Sequence, residues 1–224
     1  MPKRLTLLIA GIFLFFFFVF FSYLVHKDLL TQFDFNTTVR FQDKIPRRLD
    51  DIFSLFSVVG MFTMSLVILV LFFLLLRKWI GLLVSFGLFG MFHVFELYGK
   101  TFVEHRPPPE FLLRTKKLVD FEPFHVRAEH SYPSGHSGRA LFLSSIFMLF
   151  LLSSKRIPRG LKVVIAGAII TYDITMLVSR IYLGEHWATD VIGGAILGLS
   201  FGVITYVAAT FNIKHLFRFL RRKS

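Results

Sequence analysis

The stretch SRIYLGEHWATD, from Ser179 to Asp190, places a histidine and a carboxylate four positions apart, at His186 and Asp190. At that spacing two side chains share one face of a helix, one turn apart. The carboxylate can accept the proton of one imidazole nitrogen, which leaves the other nitrogen as a base or nucleophile. A histidine that merely caps a helix beside an acid has the same spacing, so the pair alone leaves both interpretations open.

A second group of chemically active residues lies upstream in the stretch YPSGH, residues 132–136. Pro133 and Gly135 favour a turn, and the start of the helix predicted to follow offers unpaired backbone N–H groups, which bind anions. Ser134 adds a hydroxyl, and His136 adds a second titratable imidazole. The stretch is therefore interpreted as an anion site with an acid or base beside it.

Cations stand next to two further predicted helix ends. Lys100 and Arg106 follow the third apolar run of the chain, and Arg180 closes the fifth. A guanidinium group is a fork of donors that suits phosphate oxygens. Three cations, a helix N-terminus and two histidines on one membrane face predict a site for a dianionic phosphate group.

These stretches resemble the three-part signature of the type 2 phosphatidic acid phosphatase family, whose membrane members are six-helix bundles. The match runs from Lys100 to Asp190, and the second and third stretches fit the family pattern without deviation. The first departs from it, because five residues rather than six separate Lys100 from Arg106. On a regular helix that difference turns Lys100 by about 100°, so either the helix end unwinds or Lys100 contributes less. Glu96, one turn earlier, offers Lys100 a plain salt bridge instead.

The resemblance implies metal-independent hydrolysis of a lipid phosphate monoester or pyrophosphate. In that reaction His186 attacks phosphorus and forms a phosphohistidine, Asp190 orients it, and His136 protonates the leaving oxygen. Stabilisation of the phosphate oxygens is assigned by the resemblance to Arg106, Arg180, Ser134, the Gly135 backbone and Lys100. No metal or other cofactor is expected, because these cations take its place. The resemblance offers four substrates: undecaprenyl pyrophosphate, phosphatidylglycerophosphate, phosphatidic acid and lipid A phosphates.

Three other functions stay open on the sequence. A lipid phosphotransferase would use the same histidine and pass the phosphate to a second lipid instead of water. A lipid or ion transporter would need a polar path through the bilayer, for which the candidate residues in the spans are Asp173, His93 and Glu96. A soluble haloperoxidase relative has a similar arrangement of histidines and cations, but six apolar spans argue against it.

The elements that must hold these residues are membrane-spanning helices. Hydrophobic residues make up 54% of the 224, with 30 Phe, and the mean hydropathy is +0.65, which is typical of a membrane protein. About 20 apolar residues cross the hydrocarbon, and six predominantly apolar runs approach or exceed that length: 5–25, 52–76, 79–98, 138–154, 161–179 and 187–213. We predict an all-α, integral-membrane bundle of six transmembrane helices, forming a single domain over residues 1–224. The first run is longer than a typical signal-peptide core and has no small-residue cleavage site, so we expect it to be retained.

Charge predicts the orientation of this bundle. The loops and ends on the terminus side carry basic residues and no acidic ones, so the positive-inside tendency predicts cytoplasmic termini and an active site on the periplasmic or extracellular face of the cytoplasmic (inner) membrane. The net charge of +12 is scattered over short loops. That distribution suits anionic lipid head groups and a lipid phosphate substrate rather than nucleic acid. The absence of cysteine excludes disulfides, thiolate zinc sites and a cysteine nucleophile.

Two segments of the predicted outer face have open roles. Residues 26–51 mix Phe33, Phe35, Val39, Phe41 and Ile45 with charges, which favours an interfacial helix or loop between the first two spans. Residues 107–131 either determine substrate choice or form a solvated connector. In the first case the basic residues of this segment would contact lipid head groups, namely Arg114, Lys116, Lys117 and Arg127. Three apolar residues would insert into the lipid, namely Phe111, Leu112 and Leu113.

Several further residues are weighed against plain structural roles. Asp173 either steadies Arg180 from two turns below or makes a buried structural hydrogen bond. His93 is interpreted as a packing residue, and Glu185 as a charge at the rim of the site. The loop histidines His105, His125 and His130 could assist the site, but they are more simply explained as solvated side chains. The small residues Gly194, Gly198 and Gly202 favour close packing of the sixth helix over dimerisation, so an oligomer is not expected.

Overall fold

The computed structural model describes residues 2–115 and 130–211. These residues form eight α-helices and three short 3-10 turns, without a strand in the described part. The α-helices are α1 Pro2–His26, α2 Thr31–Lys44, α3 Asp50–Phe56, α4 Phe62–Leu75, α5 Trp79–Phe102, α6 Gly135–Ser153, α7 Arg159–Tyr182 and α8 Ala188–Ala209. The 3-10 turns are Arg47–Leu49, Ser57–Gly60 and Glu110–Leu112. The predicted all-α membrane bundle is confirmed.

Five of these helices are long and apolar enough to cross a bilayer, namely α1, α5, α6, α7 and α8. Each contains one of the predicted spans or most of it, and α5 continues past the predicted end at Tyr98 to Phe102. The predicted second span differs from the others. It is divided into Arg47–Gly60 and Phe62–Leu75, which meet at an angle of 54°. Residues 2–115 and 130–211 therefore contain five candidate spans, or six when this bent pair is taken as one.

The break in the second span lies at Gly60 and Met61. Met61 has an extended backbone conformation, which interrupts the helical hydrogen bonds between the turn Ser57–Gly60 and α4. A side chain at Gly60 would stand 2.8 Å from the His136 ring and 2.9 Å from Met176, so only glycine allows this close approach. Apolar length alone predicted one continuous helix here, and the residues packed against Gly60 lie on α6 and α7, far away in the sequence.

The segment between the first two spans contains helix α2, whose polar side faces inward. Asp34 and Thr38 are buried against the bundle, whereas Phe33 and Phe35 are exposed. Exposed aromatic rings on a helix at the end of the bundle suit the membrane interface. The inward carboxylate is therefore available to the site described below.

Helices α6 and α8 form the centre of the bundle and approach each other closely. A side chain at Gly198 would stand 2.1 Å from the carbonyl oxygen of Gly138, and one at Gly194 would stand 2.2 Å from that of Ser134. The predicted close packing of the glycine stripe is thus seen within the chain, between α8 and α6. On the other side of α8, Ser200 donates a 2.8 Å hydrogen bond to the Gly11 carbonyl of α1.

Candidate active site

The third sequence stretch forms the turn from α7 into α8. Asp190 lies in the first turn of α8, where a carboxylate is stabilised by the helix dipole. Its Oδ2 atom accepts hydrogen bonds from the Trp187 backbone N–H at 3.0 Å and from His186 Nδ1 at 3.3 Å. This geometry leaves the Nε2 atom of His186 as the nitrogen for chemistry, as the spacing of the pair had predicted.

The second stretch is fixed directly to the third. The Ser134 backbone N–H donates a 2.9 Å hydrogen bond to the Asp190 carbonyl, and Ser137 Oγ donates one of 3.1 Å to Ser134 Oγ. Helix α6 begins at Gly135, so its first backbone N–H groups open toward the same place. The sequence-predicted anion site is therefore brought beside His186 by backbone contacts.

His136 lies half-buried at the start of α6, within electrostatic range of Arg180, Arg139, His186 and Lys100. Its Nε2 atom is buried and has no hydrogen-bond partner among residues 2–115 and 130–211. An unpartnered buried donor or acceptor costs free energy unless something occupies it. The role of this nitrogen as the acid of the site stays a prediction.

The carboxylate of Asp190 has a second histidine partner that the sequence analysis did not favour. His105 Nδ1 lies 2.8 Å from Asp190 Oδ1, and His105 Nε2 lies 3.5 Å from Asp34 Oδ2. His105 is only 7% exposed, so the solvated loop histidine expected here is wrong. Asp34 also accepts hydrogen bonds from the N–H and Oγ1 of Thr189, at 2.8 and 2.7 Å. No sequence pattern links α2 to this loop.

The electrostatics of His105 follow from these two carboxylates. Burial alone would lower its pKa, but the hydrogen bonds and charges of Asp190 and Asp34 outweigh burial and raise the pKa of His105 from 6.5 to about 9. A carboxylate has no proton to offer, so each ring nitrogen that faces one must carry the hydrogen itself. His105 is therefore an imidazolium at neutral pH.

Arg139 is a further charged residue that the sequence analysis missed. One turn after His136, its Nε donates a 2.8 Å hydrogen bond to the Gly60 carbonyl at the break of the second span. Its Nη1 lies 3.5 Å from Glu96 Oε2. Glu96, expected as a partner of Lys100, thus forms its ion pair with Arg139. Arg139 is therefore held in place both by Gly60, at the break of the second span, and by Glu96 of α5.

Arg180 is completely buried and already holds an anion. Its Nη1 donates a 2.5 Å hydrogen bond to Glu185 Oε2, and its Nη2 donates to the Ser57 hydroxyl and to the Phe53 carbonyl. Glu185 also accepts a 2.6 Å hydrogen bond from Thr115. Glu185, predicted to be a charge at the rim of the site, is thus a direct partner of the guanidinium.

Asp173 accepts a hydrogen bond from Ser144. Of the two roles considered for Asp173, this contact is the structural hydrogen bond rather than support of Arg180.

Lys100 and Arg106 lie on either side of the end of α5. Lys100 is half-buried in the last turn of the helix, which ends at Phe102, and Val103 is extended. The backbone is therefore unwound between the two cations, as one of the two interpretations required. The Arg106 side chain is exposed, and its carbonyl accepts a 2.8 Å hydrogen bond from Trp187 Nε1. The three stretches of the signature thus meet at one end of the bundle.

Comparison with known proteins identifies the family. The sequence profile of the PAP2 superfamily matches residues 78–214, which is more than half of the chain. This chain belongs to the PAP2 superfamily. Phosphatidylglycerophosphatase B of Bacillus subtilis (strain 168) is 32% identical to this PAP2 protein over 128 residues, 55% of each chain. Undecaprenyl-diphosphatase of Sulfolobus acidocaldarius is 38% identical over 72 residues, 31% of this chain and 29% of that one. This chain thus spans about half the length, or less, of these relatives.

Two solved structures share the fold of this PAP2 protein. One is the transmembrane PAP2-type phosphatidylglycerolphosphate phosphatase from Bacillus subtilis, with a TM-score of 0.68 at 23% identity. The similarity covers 87% of this chain and 93% of that one. The other is LpxE from Aquifex aeolicus, with a TM-score of 0.54 at 23% identity over 77% of this chain and 94% of that one.

The loop ahead of the second stretch is only partly described in this PAP2 protein. Leu112 is buried, whereas Phe111 and Leu113 are exposed. Arg114 donates a 3.1 Å hydrogen bond to the Gln42 carbonyl and stacks over the ring of Tyr182, so α2 and α7 hold it. The remaining residues predicted to meet head groups, Lys116, Lys117 and Arg127, lie outside the described residues, as does His125.

Every predicted site residue of the PAP2 protein is found at this end of the bundle. Their chemical roles stay predictions, and so does the expectation that no metal takes part. Among residues 2–115 and 130–211, no group of three or more His, Asp or Glu side chains is arranged to hold a metal ion.

Proposed function

We propose that this PAP2 protein hydrolyses a lipid phosphate monoester or pyrophosphate through a phosphohistidine formed on His186. The observation that carries the proposal is the hydrogen bond from His186 Nδ1 to Asp190, at 3.3 Å, beside the unpartnered Nε2 of His136. A nucleophile oriented by an acid and faced by a second acid–base group is the arrangement that covalent transfer needs.

The first step transfers the phosphoryl group to the protein. The lone pair of His186 Nε2 forms a bond to phosphorus while the bond between phosphorus and the lipid oxygen breaks. His136 donates its proton to that oxygen, so the lipid leaves as an alcohol, or as a monophosphate when the substrate is a pyrophosphate. Asp190 accepts the hydrogen bond of Nδ1–H and stabilises the positive charge that develops on the ring.

The second step returns the histidine to its starting state. His136, now unprotonated, takes a proton from a water molecule whose oxygen attacks phosphorus. The bond between phosphorus and Nε2 breaks, and inorganic phosphate leaves. One water is consumed for each phosphate released, and both histidines recover their protonation.

The charge of the transferring group is balanced by side chains at the same end of the bundle. Arg106, Lys100 and Arg180 supply positive charge, and Ser134 and the Gly135 backbone supply hydrogen-bond donors. These groups serve as the electrostatic clamp that metal ions form in other phosphoryl transferases, which supports a reaction without a metal.

The substrate class follows from position and from the relatives. The site lies at the end of the membrane helices next to α2, whose exposed Phe33 and Phe35 suit the interface, so a head group can reach it from the adjacent leaflet. The relatives are a phosphatidylglycerophosphatase and an undecaprenyl-diphosphatase, which supports a phospholipid or polyprenyl substrate. The basic loops on the terminus side support cytoplasmic termini and action at the outer leaflet of the cytoplasmic membrane.

The test is release of inorganic phosphate by the detergent-purified protein in EDTA. Four substrates are compared: undecaprenyl pyrophosphate, phosphatidylglycerophosphate, phosphatidic acid and a lipid A phosphate. His186→Ala is expected to abolish release, and acid-labile phosphate is expected on wild type after rapid quenching. Release that needs added divalent metal, or that survives in His186→Ala, would overturn the proposal. A phosphorylated acceptor lipid without free phosphate would identify a phosphotransferase instead.

A further inference from the structure

A line of buried titratable groups runs from α2 to the nucleophile. Asp34 faces His105 Nε2, His105 Nδ1 faces Asp190, and Asp190 faces His186. Asp34 and Asp190 are 2% and 0% exposed, and His105 is 7% exposed. Two buried carboxylates are costly unless a charge compensates them. The only ring in this line with a carboxylate at both nitrogens is His105.

We propose that His105, clamped as an imidazolium between Asp34 and Asp190, is a positioning residue of the phosphoryl transfer: it fixes the Asp190 carboxylate against His186 and offsets its charge beside the incoming phosphate. This inference rests on the proposed function of His186. It assigns a task to His105 and to Asp34, neither of which belongs to the three sequence stretches.

The distances show which contact holds Asp190. The hydrogen bond from His105 to Oδ1 is 2.8 Å, and the one from His186 to Oδ2 is 3.3 Å. The shorter bond also involves the charged donor, and charge-assisted hydrogen bonds are about twice as strong as neutral ones. Rotation of the Asp190 carboxylate would therefore have to break the His105 contact first. As long as that contact stands, Oδ2 stays directed at His186.

The charge of His105 matters because the substrate is itself an anion. Without it, the pair Asp34 and Asp190 would present two negative charges to a dianionic phosphate in a buried site, where Coulomb energies are several times larger than in water. With it, the three groups carry a single negative charge. Both binding of the substrate and the approach to His186 therefore gain from the protonated ring.

The backbone around His105 links it to the phosphate-binding residues. The His105 carbonyl accepts hydrogen bonds from the N–H and Oγ of Ser131, at 2.9 and 3.1 Å, and Ser131 immediately precedes the YPSGH stretch. The next residue is Arg106, whose carbonyl is held by Trp187. A displacement of His105 would therefore also displace residues in all three sequence stretches, through Arg106, Ser131 and Asp190.

The proton on His105 gives this role a pH signature. The titratable groups that face the ring are Asp34 from α2 and Asp190 from α8, with His186 behind Asp190, and Arg106 follows in its own loop. Activity is expected to decline in alkaline solution as the ring loses its proton, near pH 9. Removal of the Asp34 charge should move that decline to lower pH, because one of the two carboxylates that favour the cation is gone.

The experiment compares kcat, KM and pH profile from pH 6 to 11 for His105→Gln, Asp34→Asn and the control His26→Gln. All three are isosteric or nearly so, and His26 lies on the same membrane face at the end of α1. His105→Gln is expected to lower kcat about 10- to 100-fold, the range for residues that orient a catalytic group, and to lose the alkaline decline. Asp34→Asn is expected to shift the decline toward neutral pH, and His26→Gln to behave as wild type.

Two results would overturn the inference. One is a folded His105→Gln whose kcat equals wild type, or whose alkaline decline is unchanged in position. The other is Asp34→Asn with the decline unmoved. If the variants do not fold, ¹⁵N-histidine NMR of the wild-type protein at pH 8 decides, because one ring must show both nitrogens protonated. Activity that survives His186→Ala would instead count against the proposed function, so the two failures are distinct.

Discussion

Arg180 Nη1 donates a 2.5 Å hydrogen bond to Glu185 Oε2, and the guanidinium is completely buried. The cation assigned to phosphate thus holds a carboxylate of the neighbouring turn. A phosphate oxygen can bond to Arg180 only by displacing or sharing that partner. Glu185 is held in turn by Thr115, at the edge of the segment 116–129 that precedes the YPSGH stretch.

Glu185→Gln is expected to strengthen phosphate binding. The amide keeps the size of the side chain but loses its charge, so phosphate competes for Arg180 with a weaker partner. Since a hydrogen bond to a charged group contributes about 1.5–3 kcal/mol, the inhibition constant of inorganic phosphate should fall about tenfold. The control is Glu104→Gln, an exposed carboxylate in the loop that follows α5. An unchanged or raised inhibition constant in Glu185→Gln would contradict the competition.

Thermal stability should depend on pH through His105. The pKa of this ring in the folded protein, about 9, lies above its ordinary value of 6.5, so the protonated ring favours the folded state. This contribution is complete below pH 6.5 and is lost as pH rises through 9. The unfolding temperature measured from pH 6 to 10 should therefore fall on the alkaline side, and the fall should be smaller in His105→Gln. Equal slopes for the two proteins would refute the assignment.

Gly198→Ala should destabilise the bundle, because the added carbon would stand 2.1 Å from the Gly138 carbonyl oxygen on α6. Overpacking of this kind costs about 1–3 kcal/mol. Gly87→Ala on α5 is the matched control, since nothing lies within 4 Å of its added carbon. It should be neutral or stabilising by up to about 1 kcal/mol, the helix preference of alanine over glycine. Thermal unfolding in one detergent separates the two, and equal unfolding temperatures would argue against close α6–α8 packing.

Arg139→Met should destabilise the protein more than Arg139→Met combined with Glu96→Gln. The single change leaves the buried Glu96 carboxylate without its cation, which typically costs about 3–5 kcal/mol. The double change removes the charge as well and should recover part of that loss. Unfolding temperatures of wild type, both single variants and the double variant form a cycle. Strict additivity would mean that the 3.5 Å ion pair contributes nothing.

The helices and the three chemical stretches were predictable because their signals are local. Apolar length marks a span wherever it occurs, and His186 and Asp190 are neighbours on one helix turn. The break at Gly60 was not predictable, since the run from residue 52 to 76 contains neither a charged residue nor a proline. The close neighbours of Gly60, His136 and Met176, come from other helices.

The same distinction explains the missed part of the site. His105 and Asp34 belong to separate elements, and neither has a spacing that points to the other. Arg139 stands inside an apolar span, where only the fold shows that Gly60 and Glu96 satisfy it. Pairs that form across helices leave no periodic pattern in the chain. Such contacts have to be read from the structure.

The bend in the second span is the place where this span would adjust to the thickness of the bilayer. Helix α4 has 14 residues and reaches about 21 Å, less than the roughly 30 Å of a typical hydrocarbon core. The preceding piece, residues 47–60, must therefore cross the remaining part of the hydrocarbon core. A change in membrane thickness would change the angle between this piece and α4. Gly60, Ser57 and Phe53 of that piece bind Arg139 and Arg180. A change in acyl-chain length that moved this piece would therefore also move the hydrogen-bond partners of both arginines.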